Sequence, residues 1–173
     1  VMDQVKYLQD LGGKVYFCVA DIEAYHANRQ SLEESADIAV DNVADVLATG
    51  ISPKSYFYKQ STEEVVKKLG YVYASNVTFT MPRSIYGEQD IGHYMSALVQ
   101  VADILLPQHE KFGGPKSVVV PIGLDQDSHM RLTRDIAAKH RLTLPSSTYN
   151  KFMHSLSGSA KMSKSEPLGM LTL

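Results

Sequence analysis

The sequence predicts an α/β domain built on a mostly parallel sheet, and three observations carry that expectation. Two continuous apolar runs, Lys14–Ala20 and Ser117–Gly123, read as strands buried on both faces. Two longer segments, Leu32–Leu47 and Tyr94–Leu106, repeat their apolar residues at helical spacing. Strand and helix patterns alternate along the chain, as parallel strands joined by helical crossovers require.

Each element has a local reason. Met2, Val5, Tyr7, Leu8 and Leu11 make an amphipathic helix stopped by Gly12-Gly13, and the run 14–20 follows as the first strand. Ser31-Leu32-Glu33-Glu34 is a capping box, in which hydroxyl and carboxylate satisfy free amides at a helix start. The helix it opens carries Leu32, Ala36, Ala39, Val43, Val46 and Leu47 and ends at Gly50. Ser55-Tyr56-Phe57-Tyr58 reads as a second strand. Ser61-Thr62-Glu63-Glu64 repeats the capping pattern and opens a short helix to about Leu69. Residues 74–92 are polar and irregular, a loop-rich excursion with one short helix. The helix Tyr94–Leu106 presents Met95, Leu98, Val99, Ala102 and Leu105 on its apolar side and stops at Pro107. Gly113-Gly114-Pro115 is a turn before the strand 117–123. Asp127 or Ser128 caps a helix to about His140, Leu142–Pro145 is short and extended, and the chain after Tyr149 reads as a mobile loop rich in Ser, Gly and Lys.

Composition narrows the function. At roughly 150 residues per domain, 173 residues make about one domain. With 44% hydrophobic and 21% charged residues the chain is not wholesale disordered. A net charge of -2 leaves no global basic excess, so nucleic-acid contact would need a local patch, and DNA binding is not expected. The lone Cys18 excludes an intramolecular disulfide and suits a reducing compartment. No apolar run approaches the roughly 18 residues that span a bilayer, and the opening residues carry no leader pattern, so a cytoplasmic protein without a membrane partner is expected.

Four constellations could carry chemistry. Lys161-Met162-Ser163-Lys164-Ser165, just after Gly158-Ser159, suits a loop closing on polyphosphate, with point-charge ammoniums and donating hydroxyls. On spacing alone it reads first as an ordinary solvated basic loop, since loops with Lys and Ser are common. Gly123-Leu124-Asp125-Gln126 follows the clearest strand, where parallel sheets bind ligands. There Asp125 could accept from ribose hydroxyls or simply make a turn, and Gln126 offers donor and acceptors beside it. Gln100 and Asp103 share one helix face, on a helix that should be largely buried, so Asp103 either meets Arg131 or Arg134 or reads a ligand donor. Glu23, after the first strand, is a ligand for an ammonium or a surface acid. The six histidines show no metal-ligand spacing, and no dinucleotide or P-loop fingerprint occurs. Cys18 reads as a packed thiol.

At these residues the chain resembles a known family. KMSKS at 161–165, PIGLDQDSHMRLTRDIA at 121–137, VYFCVADIEAY at 15–25 and LVQVADILL at 98–106 together resemble the tryptophanyl-tRNA synthetase family of class I, in its archaeal and eukaryotic style. The resemblance covers nearly the whole chain. It implies a Rossmann-type, doubly wound catalytic domain that activates tryptophan with ATP and magnesium and charges tRNA, working as a homodimer with residues 74–94 as a plausible contact region. By motif position, Lys161, Ser163, Lys164 and Ser165 act on the phosphates. Met162 meets adenine through its backbone, Gly123 and Asp125 hold ribose, Gln126 sits at the substrate carboxylate and Glu23 at its amino group. Gln100 and Asp103 line the side-chain pocket, where a buried acceptor can select the single indole N–H.

The departures bound that implication. No HIGH tetrad is found; Ile91-Gly92-His93 stands far too late in the chain. The chain opens on Val1-Met2-Asp3-Gln4 and stops at Leu171-Thr172-Leu173, so residues 1–173 are expected to be a partial catalytic domain, without the HIGH-bearing segment, the first strand or the anticodon-binding domain. Cys18 stands where some relatives carry a polar residue. A tyrosyl-tRNA synthetase shares the fold and a Gln-x-x-Asp pair, although Ser96 stands where tyrosyl enzymes tend to carry Tyr. A non-catalytic fragment that binds nucleotide or a partner is the other alternative.

Overall fold

A computed structural model describes residues 1–28, 31–151 and 155–156. Helix α1 (Met2–Asp10) ends where Gly12 takes a φ of +94°, which only glycine adopts without strain. Strand β1 (Tyr16–Val19) follows and pairs in parallel with β2 (Tyr56–Lys59), Tyr16 opposite Tyr56 and Val19 opposite Lys59. Two helices connect them, α2 (Asp21–Asn28) and α3 (Leu32–Ala48). The capping box of α3 forms: Ser31 Oγ accepts from the Glu34 N–H at 3.1 Å, and the Glu34 carboxylate accepts from the Ser31 N–H at 2.9 Å.

The second capping pattern does not form. Asp21 takes the Ser61 hydroxyl, so Glu63 becomes the cap, accepting from the Val65 N–H at 3.1 Å. The helix it opens, α4 (Glu64–Ala74), continues past Leu69 because Val66, Gly70 and Tyr73 are buried along it. A short α5 (Thr80–Tyr86) occupies the irregular stretch. Next comes α6 (Ile91–Leu105), begun at Asp90, whose carboxylate accepts from the His93 N–H at 2.8 Å.

In the second half β3 (Val119–Gly123) and β4 (Ser146–Asn150) pair in parallel across α7 (Asp127–Lys139), Val119 opposite Ser146 and Gly123 opposite Asn150. The extended segment thus lies after Pro145, not over 142–145. Neither Asp127 nor Ser128 caps α7: Gln126 holds the cap position without a side-chain bond, and the Asp127 carboxylate is engaged by Arg131 and Tyr149.

Helix α6 is the hub. Its Leu98, Val101, Ala102 and Leu105 pack with Val66 and Tyr73 of α4 and Leu132, Ile136 and Ala137 of α7. Gly70 of α4 faces α6, where an added Cβ would just touch the Val99 side chain at 3.4 Å. Among the described residues no helix is long and apolar enough to cross a membrane.

The strands depart from full burial. Among the described residues β1 and β3 each have one strand partner, so the parallel strands form two pairs and every residue of β1 is half-buried. Lys14–Cys18 and Ser117–Pro121 line a common cleft of about 580 Å³. Consecutive residues of each strand line it, so strand edges look into it rather than one sheet face. Val5 and Leu8 of α1 and Asp103 and Ile104 of α6 complete its wall.

Candidate active site

Asp103 stands on α6, one turn after the half-buried Gln100, where the cleft meets the carboxyl end of the first strand pair. Its Oδ1 accepts from the Tyr58 hydroxyl at 2.9 Å and its Oδ2 from Gln60 Nε2 at 2.6 Å. The two arginines named as candidate partners are elsewhere: Arg131 pairs with Asp127 at 2.6 Å, and Arg134 donates to the Pro145 carbonyl and the Ser147 hydroxyl. Burial pushes the Asp103 carboxyl up to about 6, against the hydrogen bonds from Gln60, Tyr58 and Cys18. Burial, then the nearby Asp103 charge, raises the Cys18 thiol far above its usual range, so it stays protonated and is a donor, not a nucleophile. Cys18 lies on the cleft wall rather than deep in a core.

Glu23 sits in the first turn of α2, not on a strand end. Burial raises its carboxyl, and the nearby His93 acts against that. Beneath it the wholly buried Asp21 accepts from the N–H groups of Ile22 and Ser61, at 3.1 and 3.0 Å, and from the Ser61 hydroxyl. Gln60, equally buried, accepts from the Glu23 N–H at 3.3 Å through Oε1.

At the other strand pair, β3 ends on Gly123 and the chain makes one tight turn over Leu124–Gln126 into α7. Asp125 is exposed and Gln126 half-buried. The Asp127 carboxylate accepts from the Tyr149 hydroxyl and Arg131, both at 2.6 Å, which hold it below the usual range. His129 is buried in the first turns of α7. Tyr86 bonds its Nδ1, Nε2 has no partner among the described residues, and burial depresses it to about 4. Among the described residues no group of three or more His, Cys, Asp or Glu is gathered as a metal site.

The family model of class I tRNA synthetases for tryptophan and tyrosine (W and Y) matches residues 1–173. This chain belongs to that family. Among curated relatives, the tryptophan–tRNA ligase of Methanopyrus kandleri is 42% identical over 175 residues, 96% of this chain and 46% of its own length. That of Methanocaldococcus jannaschii is 40% identical over 177 residues, 96% of this chain and 48% of its own. The crystal structure of tryptophanyl-tRNA synthetase from Aeropyrum pernix superposes with a TM-score of 0.92 at 40% identity, covering 98% of this chain and 48% of that one. The chain spans about half the length of the curated relatives it matches.

As a class I synthetase the chain shows the expected α/β fold. The structure brings Asp103, Glu23 and Cys18 around one network and sets Gly123, Asp125 and Gln126 on one turn. Lys161, Met162, Ser163, Lys164 and Ser165 lie outside the described residues. Sequence reading missed Tyr58, Gln60 and Asp21. The available signal was Gln60 itself, a polar residue closing an apolar strand, which a parallel sheet's carboxyl edge uses for function.

Proposed function

We propose that the protein this chain belongs to activates tryptophan with ATP and transfers it to the tRNA for tryptophan. The observation that carries the reading is Asp103, a partly desolvated carboxylate at the cleft, within a chain about 40% identical to tryptophan–tRNA ligases. Indole has one donor and no acceptor. A buried carboxylate that meets it loses a hydrogen bond with any ring lacking that N–H, which is how such pockets discriminate.

In this reading Asp103 and Gln100 line the ring pocket, Glu23 faces the substrate ammonium and Gln126 its carboxylate, while Gly123 and Asp125 take the ribose. The substrate carboxylate oxygen attacks the α-phosphorus of ATP, and the bond to the departing pyrophosphate breaks. Lys161 and Lys164 neutralise the charge that gathers on the leaving phosphates, Ser163 and Ser165 donate to them, and the Met162 backbone meets adenine; magnesium enters with the nucleotide as its counter-ion. The protein's own contribution is positioning and charge stabilisation. A cytoplasmic homodimer, with no membrane or DNA partner, belongs to the same reading.

The test is amino-acid-dependent exchange of pyrophosphate into ATP by the full-length protein. Tryptophan should support exchange at least about 100-fold better than tyrosine in kcat/KM, the discrimination a pocket with an unpaired buried group provides. Preference for tyrosine would overturn the substrate, and no exchange with either would leave only nucleotide or partner binding.

A further inference from the structure

The Gln60 amide joins the Asp103 carboxylate to the backbone N–H of Glu23, and the proposed function assigns those two residues to opposite ends of the amino-acid substrate. Its Nε2 donates to Asp103 Oδ2 at 2.6 Å, and its Oε1 accepts from the Glu23 N–H at 3.3 Å. Both partners fix the amide's orientation, since a carboxylate only accepts and a peptide N–H only donates. The side chain is 1% exposed, and its own N–H is tied to the Val19 carbonyl at 3.1 Å, so the link is rigid from backbone to amide. Tyr58, two residues earlier on β2, fills Oδ1 of the same carboxylate at 2.9 Å.

We propose that Gln60 is a positioning residue for amino-acid selection, its single amide fixing the ring-reading carboxylate Asp103 relative to Glu23 so that both ends of the substrate are read by one unit. The proposal rests on the tryptophan reading above. Gln60 touches no substrate in it; Gln60 acts through Asp103 and through the backbone that carries Glu23. A carboxylate held by donors at both oxygens cannot swing to suit a ring that offers nothing, and preorganisation of this kind turns hydrogen bonding into selectivity.

The groups that face Asp103 define its response to pH. They are the Cys18 thiol from β1, the Tyr58 hydroxyl from β2 and the Glu23 carboxylate from α2, with His93 of α6 beside Glu23 and Asp21 acting on Cys18. Helices α4 and α7 meet α6 through Val66, Leu132 and Ile136. Lys14 and Lys116 line the same cleft, Lys14 over the Tyr16 ring and Lys116 on the Phe112 carbonyl.

The experiment is pyrophosphate exchange by the full-length protein across pH, with tryptophan and with its isostere carrying sulfur in place of the ring N–H. In Gln60→Met the tryptophan KM should rise at least about tenfold with the ATP KM unchanged, about what one lost charge-assisted hydrogen bond brings. The preference for tryptophan over the isostere should fall by a similar factor. The acid limb of kcat/KM should move to higher pH for tryptophan, because a hydrogen bond that favours the charged carboxylate is gone. The isostere, without a ring N–H, reports the Glu23 limb alone. Gln60→Glu keeps an acceptor for the Glu23 N–H and sets an acid against Asp103, so it should move the limb further, and Tyr58→Phe should move it in the same direction by less. These two variants decide the matter if Gln60→Met does not fold. A raised KM with the limb and the N–H preference unmoved in all variants would make Gln60 a structural link only and overturn the proposal. A wild-type protein that does not prefer tryptophan over the isostere would instead overturn the reading of Asp103 beneath it.

Discussion

The two strand pairs carry their carboxylates in opposite ways. At the end of β1 and β2, Asp21 and Gln60 are 1% exposed and Asp103 is largely enclosed, each hydrogen-bonded to a residue of another element. At the end of β3 and β4, Asp125 is exposed, and Asp127 is held by Tyr149 and an exposed Arg131. The first arrangement costs desolvation and returns rigidity, which suits a site that must reject near-identical amino acids. The second keeps its carboxylates wet and free of that cost, which suits a site that binds and releases a polar ligand with its own charge.

That contrast can be broken at three points. The largest effect is expected at Asp21. Asp21→Ala strands three donors, the N–H groups of Ile22 and Ser61 and the Ser61 hydroxyl, and should cost about 3 kcal/mol. Thermal unfolding should then fall by roughly 6–12 °C for a domain of this size. A loss within a degree or two would show the latch to be ornamental and the first end no more constrained than the second.

The second test uses pH. Burial holds His129 at about 4, below the 6.5 of an exposed imidazole. The unfolded chain accepts a proton that the folded chain resists, so stability present above 6.5 is lost as the pH falls towards 4. Between pH 7 and pH 5 that loss is about 2 kcal/mol. Asp103 acts in the other direction. Its folded value of about 6 lies above the ordinary 3.8, so protonation favours the folded state as the pH falls through 6, by ~1 kcal/mol at pH 5. His129→Gln should remove the first contribution and leave the second, and denaturant unfolding should show the variant gaining on the wild type as the pH is lowered. An unchanged pH dependence would mean that His129 is not desolvated.

The smallest effect is expected at Arg131. Its side chain is exposed, and its pair with Asp127 is screened by solvent, so Arg131→Ala should leave the melting temperature essentially unchanged while Asp127 keeps its Tyr149 partner. A marked drop would erase the distinction between the two ends.

Legibility in the sequence followed the range of the interaction. The Ser31 and Glu34 capping box was readable because its partners are three residues apart, and the α6 face bearing Gln100 and Asp103 because helical spacing brings it together. The partners of Asp103 were not readable. Tyr58 and Gln60 lie 45 and 43 residues away, and only the parallel pairing of β1 with β2 aims them at α6. Strand β4 was displaced for the same reason: Ser146-Ser147-Thr148 has little strand character of its own, and β3 imposes it. Ser61 was misjudged because Asp21, 40 residues earlier, outcompetes the helix start for its hydroxyl.

The cleft between β1 and β3 bears on a property unrelated to substrate. Strand edges with unpaired peptide groups template sheet growth between molecules, and covering an edge with a helix is one way proteins suppress it. Val5 and Leu8 of α1 stand along this cleft beside Val15–Cys18 and Val118–Val120. In this chain the apolar side of α1 is thus the helical wall beside those strands, and α1 contributes no residue to the proposed chemistry.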